Sequence, residues 1–502
     1  MTFDEIQGYA VLSTVVVPLI AVVTLLFVPG QYKQAVRWIS AITGAVVFGV
    51  SVYLFVAFQT EYSEPYQMVL RWPWIENVSF LGENGVSLYL GVDGISALMG
   101  LLTGIVAFAG TLAAWKLEYR NKDFFILYWL LLSGVYGTFF SLDLFFFFFF
   151  YELAVVPLYI LIGVWGSTRK EYGAMKLTMM LVGGSVLMWI GIFAVVQEAN
   201  LGTFSLPALW EAGQDGTFSP GFQKTFFPFF AIGCGVLAAL WPFHTWSPDG
   251  HMSAPTSVSM VHAGVLMKLG AFGIIRLGIQ ILPEGAEFWM PTMMVLGTIG
   301  AVYGATAALT QRDLKLISGY SSVSHMGYVL MGLATLSTIG VTGAVLQMFS
   351  HGVMTALVFL LIGALYDQAH TRDIRDFGGI ARVMPLWVIA YVIAGFANVG
   401  LPGLSGFTAE FHIFVGTFQT YPIFGGFAIF AAALAAAYMI RIFAIVYWGP
   451  LNPRWKDLKD VTPLEIIAGS LLLGSIVLMG IWWSLFTDRL EPAVLSLPGV
   501  TG

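Results

Sequence analysis

Apolar residues fall along the chain in windows of about 20, the length a helix needs to cross the hydrocarbon core of a bilayer. About fourteen such windows stand out, near 9–28, 36–58, 87–114, 124–142, 144–164, 174–196, 225–243, 255–279, 290–309, 316–337, 340–366, 385–418, 423–448 and 464–487. Short polar stretches separate them, and the two longest, about 59–86 and 197–224, are small for an independent domain. The pattern predicts an all-α polytopic membrane protein, one membrane domain over 1–502. Three N-terminal helices fill 1–120, two five-helix units fill 121–281 and 288–448, and a last helix lies in 449–502. Two windows are interrupted: the seventh ends in Trp241-Pro242 and the twelfth contains Leu401-Pro402-Gly403. Both are the fourth helix of their unit. Because five is odd, the second unit enters the membrane from the other side, which makes the repeats inverted. Broken helices at matching positions of inverted repeats mark an ion path near the midplane.

Composition agrees with this class. Of 502 residues, 58% are hydrophobic and 10% charged, against about 25% charged in soluble domains. The net charge of −6 carries less information than where the cations fall. Lys33 and Arg37; Lys116, Arg120 and Lys122; Arg169, Lys170 and Lys176; Arg312 and Lys315; Arg372, Arg375 and Arg382; and Arg454, Lys456 and Lys459 occupy alternate connections. Those connections are predicted to be cytoplasmic and both termini to lie on the opposite side. The opposite connections carry mainly acids (Glu61, Glu64, Glu76 and Glu83 in one of them), with Arg71, Lys224, Arg276 and Arg489 as their cations. Asp4 and Glu5 ahead of the first window argue against a cleavable signal. The single cysteine, Cys234, allows no intrachain disulfide and no four-thiolate iron–sulfur cluster. No phosphate-binding glycine loop, HExxH or spaced Cys/His set is present, so nothing supports hydrolysis or a bound metal, and no nucleic-acid partner is expected.

Candidate chemistry sits inside the apolar windows. Glu152 follows a run of six phenylalanines, and an acid at membrane depth costs roughly 2.5–3.5 kcal/mol on insertion scales, which makes it a functional candidate. Pro157 lacks an N–H and frees the carbonyl of Leu153 beside it. Lys268 lies centrally in the eighth window with Gly264 on its own face, His325 in the tenth, His351 in the eleventh and Glu410 after the break in the twelfth. Each alone has a packing explanation. Acid, base and imidazole on successive helices together fit a proton relay, because each gains or loses a proton at moderate cost once its surroundings are tuned. His244 and His251 lie near the loop after the seventh window as packing or entry groups, and His370 and His412 read as a loop and a helix residue.

The Phe run with Glu152, Trp241-Pro-Phe-His-Thr-Trp-Ser-Pro-Asp-Gly-His251, Ala254-Pro-Thr, Gly264-Val-Leu-Met-Lys268, Tyr320-Ser-Ser-Val-Ser-His325-Met-Gly, His370-Thr-Arg-Asp373 and Gly400-Leu-Pro-Gly-Leu-Ser-Gly-Phe-Thr-Ala-Glu410-Phe carry a resemblance. Over nearly the whole chain they resemble the antiporter-like subunits of respiratory complex I, the proton-translocating NADH:quinone oxidoreductase, and Glu410 favours the subunit M (chain 4) type. The resemblance implies a fourteen-helix proton-translocating subunit with Glu152, Lys268 and Glu410 as its main protonatable groups and His325 and His351 on a central hydrophilic axis. It implies no cofactor in this chain, with quinone, flavin and iron–sulfur clusters in partner subunits. Neighbouring antiporter-like subunits, lipid and protons are the implied partners, in a bacterial inner or equivalent energy-converting membrane.

One departure is visible. The family places a lysine in the seventh helix that pairs with the acid of the fifth, and Leu237 stands there in this chain. His262, at a position usually apolar in the family, and Lys176 are then the substitute partners to examine for Glu152. Moving a proton against roughly 150 mV costs about 3.5 kcal/mol, and nothing in this chain releases that energy, so a coupled partner is required. A multisubunit sodium/proton antiporter, a membrane-bound hydrogenase and a non-pumping spacer subunit are the competing readings.

Overall fold

The computed structural model describes residues 3–60, 65–76 and 85–501. Glu61, Glu64 and Glu83, counted above among the acids, lie outside them. Within the described residues the chain is helical apart from one two-stranded antiparallel sheet. It runs α1 (Phe3–Phe27), α2 (Lys33–Ala57), β1 (Gln67–Ile75), β2 (Val86–Val92), α3 (Gly94–Ala113), α4 (Asn121–Phe140), α5 (Leu144–Trp165), α6 (Lys170–Ala199) and the short α7 (Leu206–Gln214). There follow α8 (Pro220–Leu237), α9 (Trp246–Ser253), α10 (Thr256–Ile279), α11 (Pro283–Thr310), α12 (Leu314–Ala334) and α13 (Thr338–Ala369). The chain closes with α14 (Pro385–Asn398), α15 (Ser405–Thr420), α16 (Pro422–Tyr447), α17 (Pro463–Ile481) and α18 (Ser484–Leu495). Eleven of these helices are long and apolar enough to cross a membrane. A helix satisfies its own backbone hydrogen bonds, which hydrocarbon cannot do for it.

The ends are set by side chains. Asp93 caps α3 in a reciprocal box with Ser96, its carboxylate accepting from Ser96 N at 2.8 Å. Asp143 caps α5 by accepting from Phe145 N and Phe146 N at 3.0 and 3.2 Å, and Asp313 caps α12 by accepting from Lys315 N at 2.8 Å. The cap at Asp93 corrects the third window: residues 86–92 form β2, paired with β1 in the register Leu70↔Leu90, and α3 begins only after the cap. The seventh window shifts toward the N-terminus. Its helix starts at Pro220, ends at Leu237 where Ala239 turns to φ +55°, and resumes as the short α9. The twelfth window divides into α14 and α15, with Gly400 and Gly403 in the left-handed region around Pro402. The last window ends at Ile481, and α18 is a separate short helix.

α10 and α13 bury the whole of their apolar window, whereas α1 and α17 bury only a third of theirs. The centre of the molecule is therefore where these two helices cross, and glycines let them approach. A Cβ on Gly352 would lie 2.5 Å from the carbonyl oxygen of Gly264, so backbone meets backbone beside His351. α10 also carries π-helical turns at His262–Leu266 and Ile274–Ile279 on either side of Lys268, a local widening common at functional positions.

Several cations assigned to loops lie in helices. Arg276 is buried in α10 and pairs with Asp93 at 2.5 Å, with its guanidinium over the Phe272 ring. Lys315 is buried at the start of α12 and donates to Ala254 O at 2.6 Å. Arg37 in α2 bonds Glu118, which Lys33 also reaches at 2.6 Å. Those two hydrogen bonds hold the exposed loop carboxyl of Glu118 below the usual carboxylate range. The Asp93–Arg276 pair ties the head of α3 to α10. Asp93→Asn leaves a buried guanidinium without its counter-ion, and breaking such a pair costs about 3–5 kcal/mol. The expected result is a lower thermal unfolding midpoint of the purified protein, largely recovered in Asp93→Asn/Arg276→Met.

Candidate functional site

Four of the predicted residues form one continuous series in the buried centre. Lys268 Nζ donates to His351 Nδ1 at 2.7 Å and also to the Ala263 carbonyl one turn back. While Lys268 is an ammonium, which has only donors, His351 Nδ1 is the acceptor and its hydrogen is on Nε2. The His351 and His325 rings stand with centroids 5.2 Å apart at 38°. His325 Nδ1 bonds the Gln347 amide at 2.9 Å and lies 3.4 Å from Glu410 Oε1. The series runs from α10 through α13 and α12 to α15, and every member is buried. Lys268, His351, His325 and Glu410, each singled out in the sequence, are thus brought together in the buried centre.

The break between α14 and α15 positions its far end. Gly400 has φ +74°, and a Cβ there would meet Glu410 Oε2 at 2.7 Å. Only glycine combines that backbone conformation with the space the carboxylate occupies. Next to it, Ser350 and Ser405 share a hydrogen bond of 2.8 Å that joins α13 to the first turn of α15.

Glu152 stands apart. It is half-buried on α5, with one carboxyl oxygen buried and unpartnered and the Ser185 hydroxyl of α6 beside it. Neither substitute cation reaches it. Lys176 makes an ion pair of 2.6 Å with Asp249, and His262 packs between the rings of Trp246 and His251. Lys176 is drawn to Asp249 because the reversal after α8 brings α9 back along α6. His244 packs against the Tyr303 ring with centroids 4.9 Å apart, outside the series. Leu237 is buried apolar packing at the last turn of α8. His412 binds the Thr408 carbonyl within its own helix, and His370 ends α13 in the left-handed conformation.

Sequence reading missed Gln347, Asp249 and Lys315. Gln347 lies four residues before His351, on the same helix face, so helical spacing could have revealed it. Asp249 and Lys315 sit within or next to the motifs quoted above, but their partners lie far along the chain and only folding brings them near.

A buried chain of lysine, two imidazoles and a carboxylate inside a helical membrane body defines a membrane protein of the ion-translocating class. The family model described as "NADH:quinone oxidoreductase/Mrp antiporter, TM" matches residues 141–435. The chain is 34% identical to NADH-quinone oxidoreductase subunit M of Rhodobacter capsulatus over 92% of this chain and 90% of that protein. It is also 34% identical to NAD(P)H-quinone oxidoreductase chain 4 of Gloeobacter violaceus, over 97% and 92%. A chain in the structure of respiratory complex I from Thermus thermophilus with bound NADH superposes with a TM-score of 0.88 at 26% identity, covering 98% of this chain and all of that one. The Mrp complex from Dietzia sp. shares the fold, with a TM-score of 0.85 at 18% identity over 98% and 97%. The chain belongs to the NADH:quinone oxidoreductase/Mrp antiporter transmembrane family, in its subunit M (chain 4) branch.

Proposed function

We propose that the chain is the proton-translocating, antiporter-like membrane subunit of a complex I-type NADH:quinone oxidoreductase, carrying protons along Lys268, His351, His325 and Glu410. The observation that carries this reading is that the four groups stand together in the buried centre, with Lys268 hydrogen-bonded to His351 at 2.7 Å, the two imidazole rings 5.2 Å apart and His325 3.4 Å from Glu410. A proton leaves the Lys268 ammonium for His351 Nδ1 along an existing hydrogen bond; His351 then releases its Nε2 hydrogen toward His325, and His325 gives one to the Glu410 carboxylate. After one passage His351 holds its hydrogen on Nδ1, and the return of that hydrogen to Nε2, by a turn of the ring or exchange of tautomer, resets it for the next proton. Redox chemistry in partner subunits supplies the energy, and this chain supplies the path and its gating charges.

The finer architecture follows the same reading. α8, α12 and the broken α14–α15 pair add to the eleven long apolar helices and bring the crossings to fourteen. The interruptions at 238–245 and 399–404 fall on the fourth helix of each five-helix unit, which supports an inverted repeat. The cation-rich connections lie in the cytoplasm and both termini on the other side.

A spacer role is the second reading, favoured by Glu152 standing without a cation. The two part on Lys268→Ala, which lowers proton yield per electron only in a working relay, and Glu152→Gln in the reconstituted complex asks separately whether Glu152 feeds that relay. A working relay that uses Glu152 loses proton yield per electron in the variant, whereas a spacer keeps its yield. An unchanged yield with full electron transfer removes Glu152 from the path.

A further inference from the structure

His251 and His262 form a second buried imidazole pair that the series above does not use. Their rings stack with centroids 4.4 Å apart at 37°, and all four ring nitrogens are buried without a hydrogen-bond partner. Buried polar atoms in native proteins nearly always have partners, so four together demand an explanation. Trp246 covers the far side of His262 at 5.1 Å and Phe359 covers His251 at 5.0 Å, which fixes both rings without engaging their nitrogens.

Their location joins two features. On one side, a cavity of about 590 Å³ at the cation-rich face is lined by Ala254, Thr256, Ser257, Lys315 and Asp367. The Ala254 carbonyl on its wall accepts from Lys315 Nζ at 2.6 Å, and the Ser259 hydroxyl bridges toward the carbonyls of Ala254 and His251. On the other side, Lys268 Nζ folds back onto the carbonyl of Ala263, the residue after His262, within the π-helical turn that His262 opens. The titratable groups within electrostatic range of His251 are His262 on α10, Lys315 on α12 and Lys268 on α10, and His351 on α13 is in range as well. On its own helix, Asp249 is held by Lys176. The pair is thus linked on one side, through Ser259 and the Ala254 carbonyl, to the cavity wall and on the other, through the turn that His262 opens, to the first member of the relay.

We infer that the stacked His251–His262 pair is the proton inlet of Lys268, delivering protons from the cation-rich-face cavity in a chain whose α8 offers Leu237 instead of a lysine. This rests on the Lys268–Glu410 relay. A proton from water in the cavity adds to a ring nitrogen of neutral His251; that imidazolium passes a proton to neutral His262, and His262 passes one to the neutral amine of Lys268. Both rings end neutral, Lys268 ends as the ammonium, and no electrons move. Two imidazolium charges at this separation repel in a dry interior, so the pair carries one proton at a time.

The test uses the whole complex in liposomes, with assembly checked on native gels and proton yield per electron measured beside quinone reduction. His262→Phe keeps a ring between Trp246 and His251 but has no titratable nitrogen; His262→Gln keeps hydrogen bonding and loses the ring. Both are expected to lower the yield to the level of Lys268→Ala, and His262→Phe/Lys268→Ala to fall no further. A full yield in His262→Phe means that the ring serves packing alone and overturns the inlet, leaving the relay in place. A full yield in Lys268→Ala overturns the relay itself. If the His262 variants do not assemble, His251→Phe, which keeps the ring on Phe359, is read against the same two outcomes.

Discussion

Lys268→Ala is expected to leave an assembled complex that no longer pumps through this subunit. The side chain is fully buried and its nitrogen holds His351 Nδ1 at 2.7 Å. Removing a positioned proton-transfer group slows a dependent step by roughly 10²–10⁴-fold, so turnover coupled to pumping should fall at least to the low end of that range. Lys268→Arg separates charge from proton transfer. Arginine keeps the positive charge but does not release its proton in proteins, so it should fail nearly as completely as alanine. Proton yield and quinone reduction measured together on the same vesicles decide the matter. Wild-type yield in the arginine variant would mean that a fixed charge suffices at this position.

The second large effect is expected at Glu410. Glu410→Gln preserves shape and a hydrogen-bonding head opposite His325 and beside Gly400, but it cannot ionise. Glu410→Asp keeps the carboxylate and withdraws it from His325, which it now faces at 3.4 Å. Pumping should therefore fall by roughly tenfold or more in the glutamine variant and much less in the aspartate variant, given the 10²–10⁴-fold worth of a proton-transfer group. Proton yield in inverted vesicles checks this, and equal activity of the two variants would contradict a protonatable role. Because Gly400 is a left-handed glycine whose added Cβ would meet the carboxylate, Gly400→Ala should resemble the glutamine variant while leaving the acid in place.

Much of this was written in the order of residues along the chain. Windows of bilayer length determine helices because hydrocarbon offers the backbone no partner, and every predicted window contains a helix in the structure. Lys268, His325, His351 and Glu410 were legible for the same reason: a charge or imidazole at membrane depth stands out against its apolar neighbours. Boundaries were less legible. Residues 86–92 are as apolar as a helix turn, and only pairing with β1 and the cap at Asp93 make them a strand. Partners were not legible at all. Lys176 was matched to Glu152 by sign of charge, yet the path of α9 gives it Asp249; Arg276 read as a loop cation, yet α10 buries it on Asp93; and His262 stood alone until α9 stacked His251 upon it. The local cost of a buried polar group marks it as a candidate, but which group compensates it depends on distances set by helices far apart in the chain, and only the tertiary packing decides those.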